Sequence, residues 1–165
     1  MADRDPEIGH RAGAVAYEAD FSAWTASQVA LLQERRFGEL DIANLVDEVE
    51  SLGRSEYDAF VSAIEIILVH MLKWDVQPDK RTPSWVASIV EHRRRINRRL
   101  QDNPSFKSRL QDAIQRAFET ATARAAGETN LSIDAFPENN PFDWDAITTR
   151  VYELPTPVRR NRKRK

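Results

Sequence analysis

The residues most able to do chemistry lie close together, at the end of one apolar segment and in the turn that follows it. A histidine, a lysine, an amide and an arginine occur within twelve residues, and two tryptophans flank the turn: His70, Lys73, Trp74, Gln77, Arg81 and Trp85. Histidine can exchange a proton near neutral pH, and the two cations can attract an anion. No known reaction requires this set at this spacing, so the residues predict a place for a site and leave its chemistry open.

Charged residues also fall among the apolar positions of two predicted helices. In residues 39–52 the apolar stripe is Ile42, Leu45, Val49 and Leu52, and the helical period puts Asp41 and Glu48 in that stripe or at its edge, with Asn44 on the same flank. In residues 83–101, Arg93 is in line with the core positions. A lone buried charge is costly, so these groups should pair. We expect Arg93 to meet Glu48 or Asp41, because guanidinium binds carboxylate with two parallel bonds.

Two interpretations of these inward charges stay open. In the first, they are structural bridges that fix the register of the helices. In the second, they line a cleft between the second, third and fourth helices, and the candidate binding residues are Asp41, Asn44, Glu48, His70, Lys73, Trp74, Gln77, Arg81, Trp85 and Arg93.

A cleft of this composition would suit three chemistries. The first is binding of an anionic or peptide ligand, with Lys73, Arg81 and Arg93 supplying charge and the tryptophans supplying walls. The second is acid–base hydrolysis, for instance of a phosphodiester, with His70 as the base and Lys73 or Arg81 stabilising charge; the catalytic candidates are His70, Lys73 and Glu48. The third is a divalent metal held by Asp41, Glu48 and His70. No paired-histidine spacing supports a metal, so we assign neither a metal nor a cofactor.

The composition is that of a helical, soluble protein. The chain has 165 residues, of which 41% are hydrophobic and 30% charged, and it has no cysteine, which excludes disulfides and thiolate chemistry. Its longest apolar run is far too short to span a bilayer, and the first ten residues do not resemble a signal peptide. We therefore expect no membrane association and a cytoplasmic location.

Helical periods, caps and prolines predict an all-α fold, a bundle of four to five mostly antiparallel helices with an irregular C-terminal strap. The strap is the segment after Gly127, which contains Phe136-Pro137 and Pro141-Phe142. The predicted helices cover about residues 20–36, 39–52, 55–74, 83–101 and 104–126, with Gly53 and Gly127 ending the second and fifth, and a short helix over 143–149. The third helix should be the most buried. Residues 1–15 are predicted to be a disordered tail, 16–154 a single domain, and 155–165 a basic disordered tail.

The C-terminal tail is basic, whereas the rest of the chain has a net negative charge. Arg159 to Lys165 holds six of the 24 basic residues, so 18 basic residues face 26 acidic ones in the rest of the chain. A body this acidic is not typical of a general nucleic-acid binder, so binding to nucleic acid is not favoured.

The order of these features resembles a bacterial family known as a domain of unknown function, number twenty-nine in its series. The resemblance covers about residues 17–154 and is carried by Tyr17-Glu18, Trp24, Gln28, Leu40-Asp41, Asn44-Leu45, Glu48, Leu52-Gly53-Arg54-Ser55, His70-Met71-Leu72-Lys73-Trp74, Gln77-Pro78, Arg81, Ser84-Trp85, Arg93, Glu128-Thr129 and Phe136-Pro137. It implies an all-helical domain without an established activity, and it supplies no catalytic residue. The chain departs from the pattern at Asn140-Pro141-Phe142, where cysteine-proline-tyrosine is commoner.

The sequence does not establish a function. Our expectation is a small binding or interaction module that takes a partner protein or an anionic small molecule. The alternative is a small hydrolase, such as a nuclease, with an acid–base site centred on His70. The oligomeric state stays open.

Overall fold

A computed structural model describes residues 17–154, and all of the regular structure within that range is helical. The helices are α1 (Phe21–Gln33), α2 (Ile42–Val76), α3 (Pro83–Asp102), α4 (Leu110–Thr129) and α5 (Trp144–Thr149). Short 3-10 turns occupy Phe37–Glu39, Pro78–Lys80, Pro104–Arg109 and Ile133–Ala135. The all-α prediction is confirmed. The tails predicted at 1–15 and 155–165 lie outside the described residues.

The predicted second and third helices are one continuous helix of 35 residues, α2. The prediction that Gly53 ends a helix is wrong, and so is the same prediction for Gly127, which lies inside α4. A glycine costs a helix only about 1 kcal/mol relative to alanine, which the neighbouring turns of a long helix offset. The end of α4 is set three residues later, by Asn130 in the left-handed conformation at φ 56°.

The chain divides into two compact units, one ending at Gly53 and the other starting at Arg54. In the C-terminal unit, α3 runs antiparallel to the end of α2, with Arg99 bonded to Glu56. The helix α4 runs parallel to α2, since Tyr57 bonds Asp112 near one end and Lys73 bonds a glutamate of α4 near the other. Sequence neighbours α2, α3 and α4 are therefore antiparallel in turn, as their short connections predict.

The core of the C-terminal unit is built around α2. All of the buried residues of α2 fall between Tyr57 and Trp74, and they outnumber those of any other described α-helix, which confirms the prediction that the third predicted helix is the most buried. Tyr57, Phe60 and Phe106 form an aromatic cluster at one end. The strap contributes Phe136, Phe142 and Ile147 to the same core. These contacts fix the positions of α2 and α3, which carry the candidates His70, Lys73, Trp74, Trp85 and Arg93.

The N-terminal unit has a small core, in which Trp24 and Gln28 of α1 are buried. The rings of Tyr17, Phe21 and Trp24 contact one another at centroid distances of 4.9–5.8 Å. In the first three turns of α2, the side that carries Asp41 and Glu48 is the less exposed one, and both residues bond side chains from α1 or the turn before it.

The apolar side of the same turns is exposed. Ile42 is 57% exposed, Val46 51%, Val49 67% and Leu52 67%, and we call these four residues the apolar row. The prediction that Ile42, Val49 and Leu52 pack inward is therefore wrong. The physical reason is that α1 offers hydrogen-bonding groups at this place, so the polar side of α2 finds partners there. Within residues 17–154, every helix is either too short or too polar to cross a membrane.

Candidate functional site

Asp41 is the centre of a hydrogen-bonded group in the N-terminal unit. Its carboxylate accepts a bond from the indole Nε1 of Trp24 at 3.2 Å and from the amide of Asn44 at 2.7 Å. Its backbone N–H donates to the side chain of Gln28 at 2.9 Å. The bond from Asn44 is the largest cause of the lowered pKa of Asp41. This carboxylate is therefore held ionised and fixed in place, and it links the start of α2 to α1.

Glu48, two turns further along α2, accepts a hydrogen bond from the phenol of Tyr17. That bond is the largest cause of the raised pKa of Tyr17. Asp41, Asn44 and Glu48, three of the predicted binding residues, thus form one polar seam, in which Asp41 bonds α1 and Glu48 bonds the residue Tyr17 that precedes it. The prediction that they sit at or near the inward side of α2 is consistent with their reduced exposure.

Lys73 is the most deeply placed cation among the candidates. It is 7% exposed, and its ammonium lies 2.7 Å from Oε2 of Glu128 on α4. The same ammonium lies 4.7 Å from the centroid of Trp85 on α3, a cation–π contact. Glu128 also accepts a bond from Arg124 at 2.9 Å, and its pKa is lowered, chiefly by the bond from Lys73. Lys73 therefore joins three helices and has its charge balanced within the fold.

His70 lies one turn before Lys73 and faces the same tryptophan, with ring centroids 6.4 Å apart. Its Nδ1 is buried and has no hydrogen-bond partner among the described residues. Burial, and then the charge of Lys73, lower the pKa of His70 to about 4. The imidazole is therefore neutral at pH 7, and its conjugate acid is so strong that the ring is a weak general base.

Three further candidates hold the turn after α2. Arg81 donates from Nε to the carbonyl of Trp74 at 3.0 Å, and its guanidinium lies 4.8 Å from the centroid of the Trp74 ring. Gln77 donates to the carbonyl of Thr129 at the end of α4, at 3.3 Å. These bonds satisfy backbone carbonyls at helix ends, which otherwise lack partners.

The partners of Arg93 are backbone carbonyls, and neither predicted carboxylate is among them. Its guanidinium donates three bonds to backbone carbonyls at the C-terminal end of α5: to Ile147 at 2.7 Å, Arg150 at 2.9 Å and Ala146 at 3.3 Å. The predicted pairing of Arg93 with Glu48 or Asp41 is therefore wrong. Burial lowers the pKa of Arg93. The end of a helix carries partial negative charge, so it satisfies a buried guanidinium without any acid.

The structure thus separates the ten candidates into groups. His70, Lys73 and Trp85 come together, Trp74, Gln77 and Arg81 hold a turn, Arg93 caps α5, and the remaining three belong to the N-terminal unit. Glu128, the partner of Lys73, was not among the candidates predicted from the sequence. The only indication of Glu128 in the sequence was its place in the family pattern. Among the described residues, no three His, Cys, Asp or Glu side chains are grouped to hold a metal ion.

Two surface grooves lie between α4 and the strap, with volumes of about 580 and 630 Å³. Gln115 lines both, and the second groove is also lined by Phe118, Phe136 and Glu119. None of the ten candidates lines either groove. These grooves could not be predicted from local sequence patterns, because their walls are formed by segments far apart in the chain.

Comparison with known proteins gives a family and nothing finer. The model of the domain of unknown function DUF29 matches residues 16–152. The chain belongs to the DUF29 family. This confirms the resemblance deduced from the sequence, and it carries no assigned activity. No curated protein and no solved structure matches this DUF29 chain.

Proposed function

We propose that this DUF29 chain is a protein-binding module without catalytic activity, and that its apolar row binds an amphipathic helix of a partner protein. The observation that carries the proposal is the orientation of α2 in the N-terminal unit. Its polar side bonds α1, and its apolar side is exposed. A helix normally buries its apolar stripe, so an exposed one indicates a surface that another protein covers.

The shape of the row suits a helix as its occupant. Ile42, Val46 and Val49 follow the spacing i, i+4, i+7, so they form one continuous strip along α2, and Leu52 extends it by a further turn. An amphipathic helix lays the same spacing of apolar residues along such a strip. Fully burying side chains of this size stabilises a complex by about 1.5–3 kcal/mol each, before the cost of association.

The C-terminal unit supports binding over hydrolysis. A hydrolase centred on His70 needs a good base and an available cation. Here His70 has a pKa of about 4, and Lys73 is held by Glu128 at 2.7 Å. The anionic-ligand alternative is weakened in the same way, because Arg93 is already bonded to three carbonyls. These groups support a structural role.

The test is a titration of the full chain with synthetic amphipathic helical peptides whose polar faces are neutral, basic or acidic, followed by NMR of backbone amides. We expect at least one peptide to bind saturably and to shift the amides of Ile42, Val46 and Val49. The variant Val49→Ser should weaken that binding about tenfold, since it removes roughly 1–2 kcal/mol of apolar burial.

The matched control is Val90→Ser, which changes the same residue type at an exposed site on α3, where valine is 41% exposed. It should leave binding unchanged. The proposal is overturned if no peptide binds saturably, or if Val90→Ser and Val49→Ser weaken binding equally. It is also overturned if sedimentation shows a homodimer that Val49→Ser dissociates, because a second copy would then cover the row.

A further inference from the structure

We infer that the second of the two grooves between α4 and the strap, which we call the strap groove, binds the chain's own basic segment, Arg159 to Lys165. This inference concerns the C-terminal unit and is independent of the function proposed for the apolar row. The volume of the groove, about 630 Å³, is within the range of roughly 300–1,000 Å³ that is usual for binding pockets. Its walls include Phe118, Glu119, Ile133, Asp134, Phe136 and Glu138.

The strap groove is acidic, and no basic residue of the described part of the chain lines it. Glu119, Asp134 and Glu138 are exposed, and within residues 17–154 none of these carboxylates is paired with a lysine or an arginine. The side-chain partners of the first two are neutral. Glu119 accepts a bond from the amide of Gln115 at 3.0 Å, and Asp134 accepts one from the hydroxyl of Ser132 at 3.1 Å.

The basic residues nearest to the groove along the chain have partners elsewhere. Arg116 and Arg124 of α4 bond carboxylates of α2, at 3.0 and 3.4 Å, so both turn toward α2. Residues 125–149 include five acidic residues and no basic one, and Arg150, which follows them, bonds Asp75 at 2.9 Å. The carboxylates of the strap groove therefore keep a negative charge that a cationic ligand would balance.

The apolar part of the strap groove suits the stems of long basic side chains. Phe118 and Phe136 are only 4% and 6% exposed, so they give the groove a closed apolar floor. Ile133, also in the wall, is 53% exposed. Arginine and lysine lay their methylene stems on such a surface while the charged end meets a carboxylate. The groove therefore fits a segment rich in arginine and lysine.

Within this chain, the segment of that chemistry is Arg159 to Lys165, which holds six basic residues and no acidic one. The chain is long enough for it to reach the groove. Arg150 lies 5.8 Å from the ring of Phe142, which is four residues after Glu138 and thus at most about 14 Å of chain away from it. The nine residues from Arg150 to Arg159 span up to about 30 Å. A tethered ligand binds at an effective concentration on the order of millimolar, which favours this segment over the same chemistry in another molecule.

The test uses the full chain, which has no cysteine, so Asn161→Cys gives a single attachment point for a nitroxide spin label. We expect the label to broaden the NMR signals of the amides of Glu119, Asp134 and Glu138 at low salt. The broadening should fall in 1 M salt, where the screening length is about 3 Å. Replacing the carboxylates together, by Glu119→Gln with Asp134→Asn and Glu138→Gln, should lower the ratio of bound to free segment about tenfold, as expected for three exposed ion pairs.

The matched control makes the same three changes of charge at exposed sites of α2 and α3, by Glu56→Gln with Glu91→Gln and Asp102→Asn. It should preserve the broadening. The inference is overturned if the groove amides are not broadened, if other carboxylates of residues 17–154 are broadened more strongly, or if both triple variants give the same result. It is also overturned if spin-labelled chains broaden the signals of isotope-labelled chains that lack the label, because a second copy would then supply the segment.

Discussion

Replacing Arg93 by methionine should destabilise the C-terminal unit by about 2–4 kcal/mol. The guanidinium makes three bonds of 2.7–3.3 Å to carbonyls at the end of α5. Bonds that involve a charged group contribute roughly 1.5–3 kcal/mol each, and part of this returns when water reaches the carbonyls. Methionine preserves the apolar stem, so the loss reports on the bonds. Arg93→Lys should recover less than half of it, because one ammonium cannot reach three carbonyls.

The assay is urea unfolding followed by tryptophan fluorescence, combined with hydrogen exchange of the amides in α5. Arg94→Met serves as the control, because Arg94 is the next residue on α3 and is exposed. It should change the free energy of unfolding by less than about 0.5 kcal/mol. The reasoning fails if Arg93→Met is as stable as the parent chain, or if Arg93→Lys matches arginine. It also fails if the exchange of α5 is unaltered in Arg93→Met.

Three further predictions concern the C-terminal unit and α2. Folding lowers the pKa of His70 to about 4, so the fold favours the neutral imidazole. The contribution of His70 to the free energy of unfolding is therefore fully present above pH 6.5 and is lost as the pH falls toward 4. His70→Gln should remove about 1–3 kcal/mol of this loss in unfolding measured at pH 4 and 7, whereas His92→Gln, which retains His70, should keep it. Glu128→Gln should cost about 2–3 kcal/mol by leaving a buried ammonium unpaired, and adding Lys73→Met should restore much of the stability in a double-mutant cycle; additive losses would contradict the pairing. Gly53→Ala should raise the thermal midpoint, with a gain of about 0.5–1 kcal/mol, because Gly53 is inside α2 and an added Cβ meets no atom within 4 Å; a lower midpoint would argue against a continuous helix.

The helices could be predicted because their local signals agree with the fold. Asp20 and Asp143 cap α1 and α5, and a proline starts α3, as the sequence indicates. The two glycines misled the prediction, because a local breaker signal is a weak preference that the rest of a long helix overrides. Short-range rules thus gave the existence of the helices better than their ends.

The candidate site was predicted less well, for a different physical reason. The helical period showed that Asp41, Glu48 and Arg93 needed partners, but a period cannot say which partner an element from elsewhere in the chain will offer. Arg93 donates to backbone carbonyls, and because every residue has one, the residue types do not indicate which carbonyls it will meet. The period also cannot tell which side of an amphipathic helix meets its neighbour. In α2 the side next to Asp41 meets its neighbour, and Ile42, Val49 and Leu52 of the apolar row are the residues that the sequence pattern assigned to the interior.

The attachment of α5 has a consequence for how the chain is made. The carbonyls that Arg93 binds belong to residues 53 to 57 positions later in the chain. At a synthesis rate of roughly 5–20 residues per second, the newly made guanidinium waits about 3–11 s before its acceptors exist. During that interval α3 has a cation without its final ligands, and Ile147, which will be fully enclosed, has not been added to the core. Biosynthesis therefore supplies α2 and α3 before the segment that Arg93 binds, so the three bonds of its guanidinium can form only after α5 has been made.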